Sequence, residues 1–404
     1  MKKILFLTYV YPYGYYNASA GCSVRIMKAL SEDTSVEVHC VSYQQIGDKQ
    51  PYKTIPNVVR HPINLKASPI RSRWRSHLQI LLRIPIYPIF SFLRIFKHYV
   101  ACRDICKEHK FDLVVSQFHP EDSAFVGALL RKLGWIEKHC VLYWDNIYGK
   151  KGPRFIPKGF ALRRKIWAEG FINRNAEKII SLYPIKPFHE MYGDLPGSAI
   201  KRSYLGIPSI IAPEKAIETK YISVIKDDMI NILYSGSIII PSYVSDIVNI
   251  LNQSTNAKKI NLIFFSKGFS EAEFDKMRSV FKGTIQSPGY IPVDELHSVY
   301  LKSDIFLSLP GEINSIRSKN FEYMSYGHPM IVLYDNPEDV NAKVFNKYPY
   351  CMTINLSLDA MESAESFDGF IATSLGRTVP FDVVQSLFVL DTPHVYVELF
   401  KKMI

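Results

Sequence analysis

Residues 288–333 hold the densest run of groups suited to a phosphorylated ligand: PGYIPVDELHSVYLKSDIFLSLPGEINSIRSKNFEYMSYGHPMIVL. Pro288-Gly289 marks a turn, an amphipathic helix is predicted over about 294–302, and a strand over 305–309. A loop follows over 310–318. The next helix is predicted to start near Ser318 and stop at Gly327, with Pro329 beyond it. A helix start presents free N–H groups and a positive dipole end, which suits a phosphate. Ser318 adds a hydroxyl donor, and Arg317 and Lys319 add charge. Glu322 lies one turn further in, where its carboxylate would accept two hydrogen bonds from a ribose diol. The same spacing fits equally a Ser318 that caps the helix and a Glu322 that faces solvent.

Elements that position such a loop recur along the chain. Short apolar runs at 4–8 (ILFLT), 36–41, 113–116 and 140–143 alternate with helical patterns. A second set follows at 179–182, 230–234, 261–265, 305–309 and 330–333. Apolar on both faces, these read as strands of parallel sheets covered by helices. The alternation predicts an α/β protein of two Rossmann-like, doubly wound domains with a cleft between them. The expected boundaries are 1–210 for the first domain, 211–228 for a Pro-containing linker and 229–390 for the second domain. Thr392-Pro393 opens a terminal helix, and residues 391–404 are expected to pack back on the first domain. Ligands in such sheets bind outside the carboxyl ends of the strands.

The 404 residues, 47% hydrophobic and 22% charged, suffice for more than one core. A net charge of +11 favours anionic partners. No paired CxxC spacing joins the six cysteines, so neither zinc nor a disulfide scaffold is expected, and a reducing cytoplasm is. MKKILFLTY at the start reads as a buried strand rather than a signal peptide. No run reaches the ~20 apolar residues of a spanning helix. Residues 71–103 contain no Asp or Glu, and Arg71, Arg73, Arg75, Arg83, Arg94, Lys97 and Arg103 punctuate large aliphatic and aromatic side chains. This stretch suits an anionic membrane surface, and it suits a core helix with solvated charges equally well. No nucleic-acid motif is present, and nucleic acid is not an expected partner.

SKNFEYMSYGHPMIV, with PGYIPVDELHSVYLKSDIFLSLP before it, resembles the donor-site signature of GT-B glycosyltransferases, particularly the family 4-like group. NILYSGSIIIPSY resembles the opening strand and Gly turn of that family's second domain, and LFLTYVYPYGYYNASAGCSVRIMKAL its first strand, Gly loop and helix. The resemblance implies a donor site made of Gly236, Ser237, Lys267, Tyr290, Ile291, Asn314, Ser315, Arg317, Ser318, Lys319 and Glu322. Gly236, Ser237 and Lys267 would face the diphosphate, and the turn before Tyr290 and Ile291 would meet the base. Gly21 and Cys22 are placed on the acceptor side. Two departures stand out. The position eight residues before Glu322 is Asn314, where the family often has a second glutamate, and the His-Asp pair after a strand of the first domain is here Trp144-Asp145. The acid–base candidates are therefore His119, Glu121, Asp122 and Asp145, beside the carboxyl ends of predicted strands.

The resemblance implies transfer of a sugar from a nucleoside diphosphate donor, UDP-linked in this reading, to a glycan or lipid-linked acceptor in bacterial surface polysaccharide synthesis. The nucleotide sugar is a co-substrate, and no metal or other cofactor is expected. The expected location is cytoplasmic, peripheral to the inner face of the membrane. Two other readings are carried: a GT-B-type nucleotide-sugar epimerase, and a non-enzymatic glycan-binding or scaffold protein.

Overall fold

The computed structural model describes residues 1–10, 18–45, 55–65, 88, 92–118, 121–145, 147–148, 156–192, 198–311 and 316–404. The chain divides into two compact units, Met1–Pro208 with Pro393–Ile404, and Ser209–Thr392.

The first unit is built on a seven-stranded, all-parallel sheet. Its strands are β1 (Lys2–Val10), β2 (Val36–Gln45), β3 (Val58–Leu65), β4 (Leu113–Phe118), β5 (His139–Tyr143), β6 (Lys178–Leu182) and β7 (Arg202–Leu205). They lie in the order β3-β2-β1-β4-β5-β6-β7. Interior strands such as LVVSQF and HCVLY are buried along their whole length, as helices on both faces of a sheet require. The chain reverses its direction of travel across the sheet between β1 and β4, and crevices that take ligands open at such switch points. The helix Pro393–Met403 completes this unit. It packs on the helix Ala18–Ser31, sets Phe400 edge-on to Phe6 at 6.0 Å, and Tyr396 donates to the Gly206 carbonyl at 2.6 Å.

The second unit repeats the plan with six parallel strands: β8 (Ile230–Ser237), β9 (Ile260–Lys267), β10 (Thr284–Gln286), β11 (Ile305–Ser308), β12 (Met330–Tyr334) and β13 (Cys351–Asn355). Their order is β10-β9-β8-β11-β12-β13, with the switch point between β8 and β11. Its core joins Ile232, Leu262, Phe264, Leu307 and Leu333 to Val244, Ile247 and Phe367 of the covering helices. Residues 211–228 are tied to this unit: the Ile217 N–H donates to Ser298 Oγ at 2.8 Å, and the Thr219 hydroxyl to Glu295 at 2.6 Å. No helix among the described residues is long and apolar enough to cross a membrane.

Nine strands coincide with the predicted apolar runs. The four that sequence reading missed, β3, β7, β10 and β13, are the edge strands of the two sheets. An edge strand is covered less completely, so it needs no continuous apolar run. VVRHPINL even carries Pro62, tolerated where no neighbour needs that N–H.

Candidate functional site

In the second unit the site is built where β8 ends. Tyr234 and Ser235 are buried, and the next two residues, Gly236 and Ser237, emerge into solvent. Gly236 adopts φ +148°, and a Cβ there would come within 3.2 Å of the Tyr234 hydroxyl. Only glycine takes this conformation without strain, so the backbone of the turn is left bare.

Phenol hydroxyls fix both sides of this turn. The Ser235 N–H donates to Tyr323 Oη at 2.8 Å, and the phenol donates back to the Ser235 carbonyl at 3.2 Å. Tyr300 Oη meets Ser235 Oγ, and the Tyr323 ring stacks on Phe306 at 4.4 Å. Beyond the glycine, the Tyr234 hydroxyl donates to the Ser237 carbonyl at 2.8 Å. Burial pushes the Tyr300 and Tyr323 phenols well above their ordinary pKa, so the clamp is neutral.

The helix Ser318–Ser325 starts next to this turn. Its N-cap is Arg317, and among the described residues no side chain caps it. Ser318 is therefore the first helical residue, not the cap. The Arg317 guanidinium ties the end of β8 to the loop after β11, donating to Tyr234 Oη at 3.4 Å and to the Pro310 carbonyl. Its backbone N–H donates to Asn341 at 3.1 Å. A Cβ on Gly311 would lie 3.0 Å from Arg317 Nε, so the glycine lets the guanidinium lie flat on the loop. Glu322 is buried rather than solvent-facing, and it pairs with Lys319 at 3.2 Å. The Lys319 ammonium also lies 5.6 Å from the centre of the Tyr300 ring.

Lys267 ends β9 in register with Ser237, so its backbone runs beside the Gly236 turn. The following Gly268 has φ +90°, and a Cβ on it would sit 2.6 Å from the Ile238 carbonyl. Tyr290 is exposed and Ile291 buried, on the loop after β10, where the Tyr290 carbonyl accepts from Tyr221 Oη at 3.4 Å. Asn314 and Ser315 lie outside the described residues. Gly236, Ser237, Lys267, Arg317, Ser318, Lys319 and Glu322 thus belong to elements that end or begin at the carboxyl edge of one sheet. Backbone N–H groups that no side chain caps among the described residues, with the Arg317 and Lys319 cations, suit a diphosphate.

The first unit offers less. His119 lies outside the described residues. Glu121 and Asp122 open the helix Glu121–Lys132. Asp122 is fully buried and pairs with Arg94 at 3.5 Å, a structural ion pair. Asp145 is half-buried just past β5. Gly21 and Cys22 lie in the first turns of the helix Ala18–Ser31, Cys22 buried and Gly21 against Arg25.

Sequence reading missed two polar constellations. One is the tyrosine clamp: Tyr234 closes an apolar run, but Tyr300 and Tyr323 lie inside helical patterns and carry no such signal. The other lies inside the first unit, between β6, β7 and the helix Lys158–Arg174. Buried Glu169 accepts from Arg202 at 3.4 Å and lies 3.1 Å from His189, with Tyr148 donating to its other oxygen. Arg202 also donates to Ser181 Oγ at 2.8 Å. Those residues are spread from 148 to 202, and no local spacing announces them.

No family model matches the chain, and a search of curated proteins finds no match. Solved structures do match over nearly the whole length. The N-terminal domain of Candida albicans trehalose-6-phosphate phosphatase is 14% identical with a TM-score of 0.64, covering 99% of this chain and 96% of that one. A UDP-forming α,α-trehalose-phosphate synthase from Burkholderia xenovorans, solved with glucose-6-phosphate, is 10% identical with a TM-score of 0.60, covering 100% and 99%. HepE of Anabaena, solved with UDP and glucose, is 12% identical with a TM-score of 0.55, covering 99% and 95%. At such identities the likeness shows the fold: two Rossmann-like parallel-sheet domains, the GT-B fold.

Proposed function

With the GT-B fold as premise, we propose that this protein is a glycosyltransferase that takes a sugar from a nucleoside diphosphate donor, UDP-linked by preference, and passes it to a glycan or lipid-linked acceptor. The observation that carries this reading is the meeting of the bare Gly236–Ser237 turn with the uncapped helix start at Arg317–Ser318–Lys319, at the switch point of the second sheet. Similar folds solved with UDP and with glucose support the donor class.

In this proposal the N–H groups at Gly236, Ser237 and Ser318 receive the diphosphate, and Lys267, Arg317 and Lys319 neutralise it. Glu322 accepts from the ribose diol. The turn at Tyr290 and Ile291 meets the base, and Asn314 and Ser315 lie on the sugar side. Stabilising the charge that develops on the leaving diphosphate is the main chemical task, and preorganised dipoles and cations serve it. The donor is a co-substrate and no cofactor is invoked. The first unit takes the acceptor, with Gly21 and Cys22 on that side. Among His119, Glu121, Asp122 and Asp145, the Arg94 pair makes Asp122 the poorest base. A lipid-linked acceptor in surface polysaccharide synthesis, on the inner face of a membrane, agrees with the acid-free stretch 71–103.

Thermal unfolding with added nucleotides tests the proposal. A nucleoside diphosphate at 100 times its Kd raises stability by about 2.7 kcal/mol. Glu322→Ala and Lys319→Ala should abolish that rise. No shift with UDP, GDP, dTDP or ADP would sink the reading.

A further inference from the structure

The positive charge of this protein is concentrated in two places. Residues 49–103 contain eleven Lys and Arg and no Asp or Glu, and residues 146–168 contain seven and none. Those 18 cations exceed the net charge of +11, so the rest of the chain is net acidic. The two segments run into the helices Phe92–Glu108 and Lys158–Arg174. Both helices pack on Glu121–Lys132, which lies between them, so the three form one layer. Each of the two leads back to the amino end of the next strand, and so each begins at the carboxyl edge of the first sheet.

Both helices carry large aromatic side chains in water. Phe92 is 67% exposed, Phe96 54%, Phe160 43% and Trp167 44%. Lys97, Lys158 and Arg163 stand exposed among them. The first carboxylates along the two helices are Asp104 and the buried Glu169. The middle helix begins with Glu121 and Asp122, and Asp122 is buried against Arg94. Trp167 is braced by rings, 6.2 Å from Phe171 and 6.0 Å from Phe125, with the Arg164 guanidinium 4.5 Å from its centre.

We propose that this layer, through Phe92, Phe96, Phe160, Trp167 and the cations among them, docks the first unit on an anionic lipid bilayer. Exposed aromatics set among cations, without carboxylates, match the boundary between headgroups and acyl chains. A braced indole loses little side-chain freedom on insertion. A solvated core helix would hide its rings and show mixed charge. The inference deepens the proposed reading by naming the surface that would meet a membrane-borne acceptor, but it stands on its own residues.

Co-sedimentation of the full chain with phosphatidylcholine vesicles, with and without 30% phosphatidylglycerol, tests it. Binding is expected only to the anionic vesicles, weaker at high salt. Phe160→Ala with Trp167→Ala, and separately Lys158→Glu with Arg163→Glu, should each lower partitioning on the order of tenfold. Equal binding to both vesicles, no binding, or no effect of either pair would overturn the proposal. So would displacement of bound vesicles by double-stranded DNA with an affinity that ignores the aromatic pair, which points to nucleic acid. The UDP-induced thermal shift, measured on the same variants, is expected to persist. Vesicle binding without any such shift in the wild type removes the glycosyltransferase reading and leaves the surface standing.

Discussion

The two sheets share a winding plan, but the polar groups that stiffen them differ. In the first unit a buried ion pair, Glu169 with Arg202, set beside His189, joins β6, β7 and a covering helix. In the second, neutral phenols hold the end of β8, and their protons stay on at any working pH. Charges buried in protein answer to every change of partner or pH, because the desolvation that they suffered must stay compensated. Neutral hydroxyls answer only to geometry. The ionic unit should therefore be the fragile one, and the phenolic unit the better platform for a ligand.

The sharpest test of that contrast is Glu169→Gln, which leaves Arg202 without its counter-charge and His189 without its carboxylate neighbour. A loss of about 3–5 kcal/mol is expected, seen by calorimetry as a lowered transition of the first unit. A loss below about 1 kcal/mol would show that water already screens the set.

Acid comes next. Burial holds His61 down to about 4, His98 to about 3 and His139 to about 4, all in the first unit. These rings are neutral when folded and protonate more readily when unfolded, so the unfolded state binds more protons below the ordinary histidine range. Stability is then full above about pH 6.5 and falls as the pH drops toward 4. The fully buried His98 and His139 should each cost on the order of 2 kcal/mol by pH 5 in denaturant titrations, and His139→Asn should flatten the slope. A flat profile in the wild type would end the contrast.

Tyr323→Phe probes the other unit. It leaves the Ser235 N–H without its phenol acceptor, at a cost of about 1–3 kcal/mol. Affinity for a nucleoside diphosphate should fall roughly tenfold while affinity for the nucleoside is kept, because only the turn proposed to receive the phosphates is loosened. The change should not depend on pH between 5 and 8. Equal loss for nucleoside and diphosphate in calorimetric titrations would mean that the phenol supports the domain and not the turn.

The smallest effect is expected at Ser318. It caps nothing, so Ser318→Ala should alter stability by less than about 0.5 kcal/mol. A loss near 1 kcal/mol in urea unfolding would restore it as a cap.

Much of this arrangement was legible in the chain. The nine interior strands announced themselves because covering both faces of a parallel sheet forces an unbroken apolar run. RSYL and TIQ gave no such signal, being short and at edges. In the site, the helix start near Ser318 and the bare glycine at 236 follow from local chemistry, namely a stop at Gly327 and a Gly after an apolar run. Spacing left open whether Ser318 capped its helix and whether Glu322 met water. The ion pair between Arg94 and Asp122 was out of reach, since the partners come from separate elements that only folding brings together. The same holds for the phenols, whose hydroxyls reach Ser235 across 65 and 88 residues.

The return of the helix Pro393–Met403 to the first unit has a consequence for synthesis. The second unit is an insertion within the first, so on the ribosome it can close its core while the first still lacks a wall. Until residue 403 emerges, Phe6 and the helix Ala18–Ser31 show an apolar face to the surrounding water. Shortening the chain before Tyr396 would make that interim state permanent and leave a sticky, chaperone-dependent product.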